Sequence, residues 1–158
     1  MTSQRRTRIG MLVKNVFLIE DDQFFAKSFL RKLEPFKDKG IVLHHYENMQ
    51  DALEDLVRLK PEVIFLDHHL SGMSGIDSIP IIKVRLPCCE IAIVSNQKDV
   101  SIMMQALETG AFNYFAKDSL VGKNSTSFIE ELLDRKSKSE DFLTKTILVT
   151  SCWIIASN

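Results

Sequence analysis

Cysteine is scarce in this sequence of 158 residues, and its three copies, Cys88, Cys89 and Cys152, form no familiar pattern. Their number is odd, and no pair has the C-x-x-C spacing of a redox or zinc-binding motif. We therefore expect neither a disulfide framework nor a structural zinc site, and the cytoplasm is the expected compartment.

Long apolar runs and an excess of one charge are also missing. The apolar stretch at residues 147–156 has about half of the roughly 20 residues that a membrane-spanning helix needs. Twenty Lys and Arg oppose 21 Asp and Glu, for a net charge of −1. We therefore expect no membrane span and no direct binding of nucleic acid through bulk charge.

Hydrophobic residues make up 45% of the chain, which is enough for the core of one globular domain. Short apolar runs alternate with segments in which apolar residues recur at helical spacing. The runs predict five strands, at residues 16–19, 41–46, 63–66, 91–94 and 111–116. The other segments predict five helices, at residues 23–33, 49–59, 76–86, 99–109 and 119–136.

This alternation predicts an α/β fold, a three-layer doubly wound (βα)5 domain with a five-stranded parallel sheet, for which we take the strand order 2-1-3-4-5 that is common among such folds. We assign residues 14–136 to the domain. Residues 1–13 are interpreted as a flexible basic leader, and residues 137–158 as a spacer and a short apolar tail. Pro80 fits only the first turn of the third helix, so the start of that helix is open.

Polar side chains follow the predicted strands at the edge where open α/β sheets bind their ligands. The first strand ends in Glu20, Asp21 and Asp22, the third in Asp67, the fourth in Ser95, and the fifth is followed by Lys117. In the order 2-1-3-4-5 these ends converge on one patch. Carboxylates at close range repel one another, and a hard cation such as Mg²⁺ relieves that repulsion. The acidic triplet alone is equally compatible with a helix N-terminus that favours negative charge.

Four segments carry a family resemblance: FLIEDDQ (17–23), IFLDHHLSGMSG (64–75), IAIVSN (91–96) and ETGAFNYFAKD (108–118). In order and spacing they resemble the signature segments of a response-regulator receiver domain, a flavodoxin-like fold of two-component signalling. The resemblance implies a phosphoacceptor at Asp67 and an Mg²⁺ site made of Glu20, Asp21, Asp67 and the backbone carbonyl of His69. It also implies a switch hydroxyl at Ser95, an aromatic switch residue at Tyr114 and a phosphate-contacting lysine at Lys117.

Two positions depart from the pattern of that family. Ser71 stands where proline is common four residues after the phosphoacceptor, and Asp118 stands where proline commonly follows the lysine. Asp22 lies beside the acidic pair and is interpreted as auxiliary. His44 and His45 are interpreted as structural, and a transition-metal role for His68 and His69 is a minor alternative.

The resemblance implies a stand-alone phosphorelay switch without enzyme activity beyond its own phosphorylation and dephosphorylation. The implied partners are a histidine kinase or phosphotransfer protein and a downstream protein, with a homodimer as a further alternative. An aspartate-nucleophile phosphatase of the haloacid-dehalogenase type is the competing function, although it would need a second carboxylate where this chain has His69. A flavodoxin-like electron carrier is disfavoured, because three carboxylates after the first strand would repel a flavin phosphate.

Overall fold

The structure is a computed structural model, and it describes residues 14–122 and residue 130. The chain divides into two units, Met1–Gly122 and Lys123–Asn158, and all strands and helices given below belong to the first. Of the second unit the structure describes Glu130, which is exposed. The predicted leader, most of the predicted fifth helix and the predicted tail lie outside the described residues.

Five strands and five α-helices alternate along the described residues 14–122, with one 3₁₀ helix between the first helix and the second strand. Their bounds are β1 Lys14–Ile19, α1 Gln23–Leu33, the 3₁₀ helix Glu34–Lys39, β2 Ile41–Tyr46, α2 Met49–Leu59, β3 Val63–Asp67, α3 Gly75–Arg85, β4 Glu90–Ser95, α4 Val100–Thr109, β5 Asn113–Ala116 and α5 Lys117–Val121. All strand pairs are parallel, in the order β2-β1-β3-β4-β5. The predicted doubly wound fold and its strand order are confirmed.

Helices cover both faces of the sheet. Phe17 of β1 belongs to an apolar layer shared with Leu56 of α2 and Ile79 of α3, all fully buried. On the other face, the Phe29 ring of α1 meets the Phe65 ring of β3 edge-on, with centroids 4.9 Å apart. Burial on both faces explains why the central strands are continuous apolar runs.

The helical segments differ from the sequence prediction in three ways. The 3₁₀ helix was not predicted, and Gly40 ends it with a φ of 86°, which favours glycine. Pro80 is the sixth residue of α3 and lies beyond its first turn. The helix continues because Ile79 and Ile82 are fully buried on either side of it, which offsets a proline cost of about 3 kcal/mol. The last helix begins at Lys117, earlier than predicted, and is described as far as Val121.

The register of the sheet positions the strand ends that carry polar residues. Ile19 pairs with Leu66, so the next residues, Glu20 and Asp67, leave β1 and β3 side by side. Ser95 pairs with Ala116, which precedes Lys117. These four residues therefore leave the sheet at the same edge. Within the described part of the chain, no helix has the length and hydrophobicity needed to cross a bilayer.

Candidate functional site

Three carboxylates form a cluster at the carboxyl edge of the sheet. Glu20 and Asp21 follow β1, and Asp67 is the last residue of β3. One oxygen from each of the three lies within 4.8 Å of the others. Glu20 and Asp67 are 0% and 4% exposed, whereas Asp21 is open to solvent. The predicted acidic patch is therefore present, with two members buried and one exposed.

Lys117 supplies the positive charge of the cluster. Its Nζ lies 2.8 Å from both oxygens of Glu20 and 3.4 Å from Oδ2 of Asp67. The aliphatic stem is buried, and the ammonium lies 4.9 Å from the centroid of the Phe25 ring. Phe25 thus provides a cation–π contact that holds Lys117 over the carboxylates. Lys117 reaches the carboxylates although Asp118, and not proline, follows it.

Burial and charge oppose each other at this cluster. Burial raises the pKa of Glu20 to about 7, with a further upward contribution from the charge of Asp67, although the hydrogen bond from Lys117 lowers it. Burial lowers the pKa of Lys117, but the hydrogen bond to Glu20 and the charges of Asp67 and Glu20 outweigh it, so this pKa lies above its ordinary value. The lysine therefore stays protonated, and the site has more negative charge than one ammonium neutralises.

The donor set fits a hard divalent cation. Oε2 of Glu20 is buried and lacks a hydrogen bond within the described residues, although the ammonium of Lys117 lies near it. Two buried carboxylates and an exposed one share this single ammonium, and a further cation would offset the remaining negative charge. Carboxylate oxygens are the ligands that Mg²⁺ prefers, typically with waters and a phosphate oxygen completing the shell. Glu20, Asp21 and Asp67 would hold such an ion, and the predicted contact from the His69 carbonyl stays a prediction.

Asp22 has a different role from its two neighbours. Its Oδ1 accepts hydrogen bonds from the backbone amides of Phe24 and Phe25, at 2.9 and 3.1 Å, and caps α1. Its own amide donates to Oε1 of Glu20 over 3.1 Å. Both interpretations of the acidic triplet therefore apply. Glu20 and Asp21 join Asp67 in the cluster, whereas Asp22 caps the N-terminus of α1.

Ser95 and Tyr114 meet at the β4–α4 loop, residues 96–99. The hydroxyl of Ser95 is buried and accepts a hydrogen bond from the amide of Gln97 over 3.1 Å. The hydroxyl of Tyr114 donates to the carbonyl of Gln97 over 2.7 Å. Gln97 is thus held from both sides by the two residues for which the family resemblance implies switch roles.

The β3–α3 loop, residues 68–74, contains two contacts that sequence reasoning missed. The Gly75 amide donates to the carbonyl of His68, and a Cβ at Gly75 would lie 2.2 Å from the carbonyl oxygen of Asp67. Only glycine allows this close return of the chain. The hydroxyl of Ser71 donates to Oδ2 of Asp21 over 3.1 Å. The glycine-containing loop was visible in the sequence, but its closure on Asp67 was not.

The histidines divide between the sheet edge and the loop. His44 and His45 hydrogen-bond through Nε2 to the Asn15 side chain and to the Glu20 carbonyl, each over 2.9 Å, which supports structural roles. His45 thus contacts the backbone of a residue in the acidic cluster. The rings of His68 and His69 meet edge to face with centroids 4.3 Å apart, and burial lowers the pKa of His68. Among the described residues, potential metal ligands group in threes only at Glu20, Asp21 and Asp67, so the transition-metal alternative has no support.

Fold and site together define a doubly wound α/β protein with a carboxylate, hydroxyl and lysine site at the carboxyl edge of its parallel sheet. Residues 16–128 match the family described as the response regulator receiver domain. The chain belongs to this family, whose members are the phosphoacceptor modules of two-component signalling and bind Mg²⁺ in an acidic pocket.

Relatives and solved structures agree with this assignment. The chain is 32% identical over 120 residues to a protein-glutamate methylesterase/protein-glutamine glutaminase 2 of Carboxydothermus hydrogenoformans, covering 75% of this chain and 34% of that protein. It is 26% identical over 106 residues to sporulation initiation phosphotransferase F of Bacillus subtilis, covering 67% of this chain and 84% of that protein.

A response regulator protein of Burkholderia pseudomallei, crystallised with a phosphorylated aspartic acid, calcium ion and citrate, is 27% identical with a TM-score of 0.60. The match covers 75% of this chain and 72% of that one. The chain spans only 46% and 34% of the length of two of its curated relatives. None of these matches supports the haloacid-dehalogenase alternative.

Proposed function

We propose that the protein is a phosphorelay switch in which Asp67 accepts a phosphoryl group from a histidine kinase or a histidine phosphotransfer protein. The observation that carries the proposal is the clustering of three carboxylates, two of which contact the buried Lys117: Glu20 at 2.8 Å and Asp67 at 3.4 Å. An Asp67 carboxylate flanked by an ammonium and by cation ligands is suited to become an acyl phosphate. Glu20, Asp21, Asp67 and the carbonyl of His69 are the proposed ligands of Mg²⁺.

The transfer has simple chemistry. A carboxylate oxygen of Asp67 attacks the phosphorus of a phosphohistidine, the new O–P bond forms as the N–P bond breaks, and the imidazole leaves. The Lys117 ammonium contacts a phosphoryl oxygen and offsets the added negative charge. Bound Mg²⁺ would supply further charge neutralisation at the phosphoryl oxygens. Hydrolysis of the acyl phosphate by water returns the carboxylate and releases inorganic phosphate.

The proposal treats the chain as a switch rather than an enzyme acting on a separate substrate. Asp67 is both the attacking group and the modified product, and among the described residues the acidic cluster holds no further carboxylate beyond Glu20 and Asp21 to act as general acid. The exposed side chain of His69 occupies the position that a phosphatase of the competing type would fill with a carboxylate. The expected cytoplasmic location and the stand-alone organisation remain predictions.

Exposed apolar side chains suggest where partners dock. Phe24, in the first turn of α1 beside the acidic cluster, is 83% exposed. We assign it to the surface that meets the phosphodonor protein. On α4, Val100, Met104 and Leu107 are 62%, 54% and 44% exposed at helical spacing. This stripe is suited to a downstream protein or a second copy of the chain.

The proposed function is tested by incubating the chain with Mg²⁺ and a small acyl-phosphate donor and measuring its intact mass. We expect a gain of one phosphoryl group that disappears when a chelator is present. A gain that is equal in chelator, or no gain at saturating donor and Mg²⁺, would contradict the proposal. Adding a purified histidine phosphotransfer protein in its phosphorylated form then tests the class of donor.

Phosphorylation is expected to loosen the β4–α4 loop. Ser95 can turn toward the new phosphate only by giving up the amide of Gln97, and the hydroxyl of Tyr114 then loses its fixed acceptor. Hydrogen exchange should therefore change in peptides covering residues 96–105 and Tyr114 when an acyl-phosphate analogue is bound. Tyr114→Phe removes a hydrogen bond worth about 1 kcal/mol and should speed exchange of this loop about fivefold without the analogue. Unchanged exchange in both comparisons would argue for a passive phosphate store.

His69 is expected to lengthen the life of the acyl phosphate. Its exposed ring lies two residues beyond Asp67 in the loop that borders the site, where it can obstruct the attacking water. We expect His69→Ala to dephosphorylate several-fold faster than the parent at neutral pH, measured by loss of the phosphorylated mass. His44→Ala removes a histidine on the far strand β2 and serves as the control. Equal rates for parent and His69→Ala would show that His69 is only a solvated loop residue.

A further inference from the structure

Ser71 is a loop residue that the phosphoryl chemistry leaves without a role, yet it contacts the acidic cluster. Its hydroxyl lies 3.1 Å from Oδ2 of Asp21, a residue 50 positions earlier in the chain. Among residues 14–122, the Asp21 carboxylate accepts a hydrogen bond from Ser71 and from no other residue. The contact joins the β3–α3 loop to the residues that follow β1.

The loop holds the hydroxyl of Ser71 in place. Leu70, directly before it, is 7% exposed and belongs to the apolar core. Gly72, directly after it, has a φ of 90°, a conformation that favours glycine and turns the chain. The loop then closes through the amide of Gly75 on the carbonyl of His68, over 3.0 Å. Because both neighbours are constrained, Ser71 loses little further freedom when it donates to Asp21.

Asp21 is the carboxylate of the cluster that most needs such a partner. Glu20 and Asp67 are buried and each contacts the ammonium of Lys117. Asp21 is exposed, so water competes for its oxygens and its side chain is the freest of the three to rotate. A donor to one carboxylate oxygen restricts this rotation and leaves the other oxygen as a ligand.

We propose that Ser71 is a positioning residue that orients Asp21 for a divalent cation and thereby joins the β3–α3 loop to the metal site. The inference rests on the proposed function, because it assumes that Asp21 is a cation ligand. It also gives the departure from proline at this position a chemical meaning. Proline has no hydroxyl to donate, whereas serine donates a hydrogen bond to the metal-binding carboxylate.

The test is a calorimetric titration of the full chain with MgCl₂, without any phosphodonor. Ser71→Ala removes the donor, and Ser71→Thr keeps a hydroxyl at an exposed position that has room for a methyl group. Ser74→Ala is the matched control, because the Ser74 side chain belongs to the same loop and makes no capping hydrogen bond to α3. Thermal unfolding without Mg²⁺ reports whether each variant is still folded to the same stability.

We expect Ser71→Ala to bind Mg²⁺ roughly three- to tenfold more weakly than the parent, at the low end of outer-shell effects because the contact is exposed. Ser71→Thr and Ser74→Ala should bind as the parent does, and unfolding without Mg²⁺ should be unchanged in all variants. Equal or tighter Mg²⁺ binding by Ser71→Ala would overturn the inference but leave the proposed function intact. A parent chain that binds no Mg²⁺ would overturn both. Loss of stability without Mg²⁺ in Ser71→Ala, or failure of threonine to restore affinity, would assign Ser71 a structural role instead.

Discussion

Asp67→Asn is expected to abolish phosphorylation by a small acyl-phosphate donor in the presence of Mg²⁺. The amide lacks the nucleophilic oxygen anion that attacks phosphorus, while its size and shape match those of the carboxylate. The site itself should persist, because Lys117 retains its 2.8 Å contacts to Glu20 after the substitution. Intact mass after incubation should show the parent with one added phosphoryl group and the variant with none.

Asp22→Asn is the matched control for this substitution. Asp22 lies in the same acidic triplet, but its carboxylate caps α1 through the amides of Phe24 and Phe25. Asparagine is an equally good N-cap, so α1 should remain stable. We expect this variant to gain the phosphoryl group as the parent does. A mass gain that persists in Asp67→Asn would mean that Asp67 is not the acceptor. An equal loss in Asp22→Asn would mean that the loss in Asp67→Asn is not specific to Asp67.

Lys117→Met is expected to destabilise the protein by about 3 kcal/mol without Mg²⁺, because it leaves two buried carboxylates without their cation. The Lys117 side chain is 7% exposed and those of Glu20 and Asp67 are 0% and 5% exposed, so water cannot replace the ammonium. Methionine keeps the apolar stem against Phe25, which isolates the effect of charge. Urea unfolding at neutral pH measures the loss, and added Mg²⁺ should restore part of it by supplying positive charge.

The loss of stability caused by Lys117→Met should be smaller at lower pH. The pKa of Glu20 is already raised to about 7 by burial, and the hydrogen bond from Lys117 is the largest influence that lowers it. Without Lys117 this pKa rises further, so the folded variant holds a proton that the unfolded chain has released. Protonation of Glu20 then favours the folded variant. We expect the defect to shrink as the pH falls from above the raised pKa of the variant to about 7, the pKa of Glu20 in the parent, and to stay constant at lower pH.

Lys98→Met is the control, because it removes the lysine of an ion pair that is exposed to solvent. Lys98 lies 2.8 Å from Asp118, but their side chains are 69% and 65% exposed. Exposed pairs of this kind contribute under about 1 kcal/mol, so this variant should unfold close to the parent. Comparable losses in Lys98→Met and Lys117→Met would show that burial at the acidic cluster is not the cause.

The sequence was enough to predict the positions of those site residues that depend only on the sheet. Glu20, Asp67, Ser95 and Lys117 each follow or end an apolar run, and parallel strands bring such ends to one edge whatever the loops do. Hydrophobic periodicity was enough to predict the strands and most helices, because burial on one or both faces leaves its pattern in the chain. The strand order needed the additional family pattern of four short segments.

Contacts between loops were beyond that reasoning, since they depend on the path of the chain after each strand. The acidic triplet has no internal mark that assigns Asp22 to the α1 cap and Asp21 to the cluster. Ser71 was visible only as a missing proline, and its bond to Asp21 arises because the β3–α3 loop turns at Gly72 and closes on Asp67. Local propensity misjudged Pro80 for a related reason: tertiary burial of its neighbours outweighs a local cost. Hydrophobic periodicity and the residues at strand ends thus specify the sheet and its reactive edge. The packing of distant loops against each other determines which carboxylate accepts a hydrogen bond from which donor.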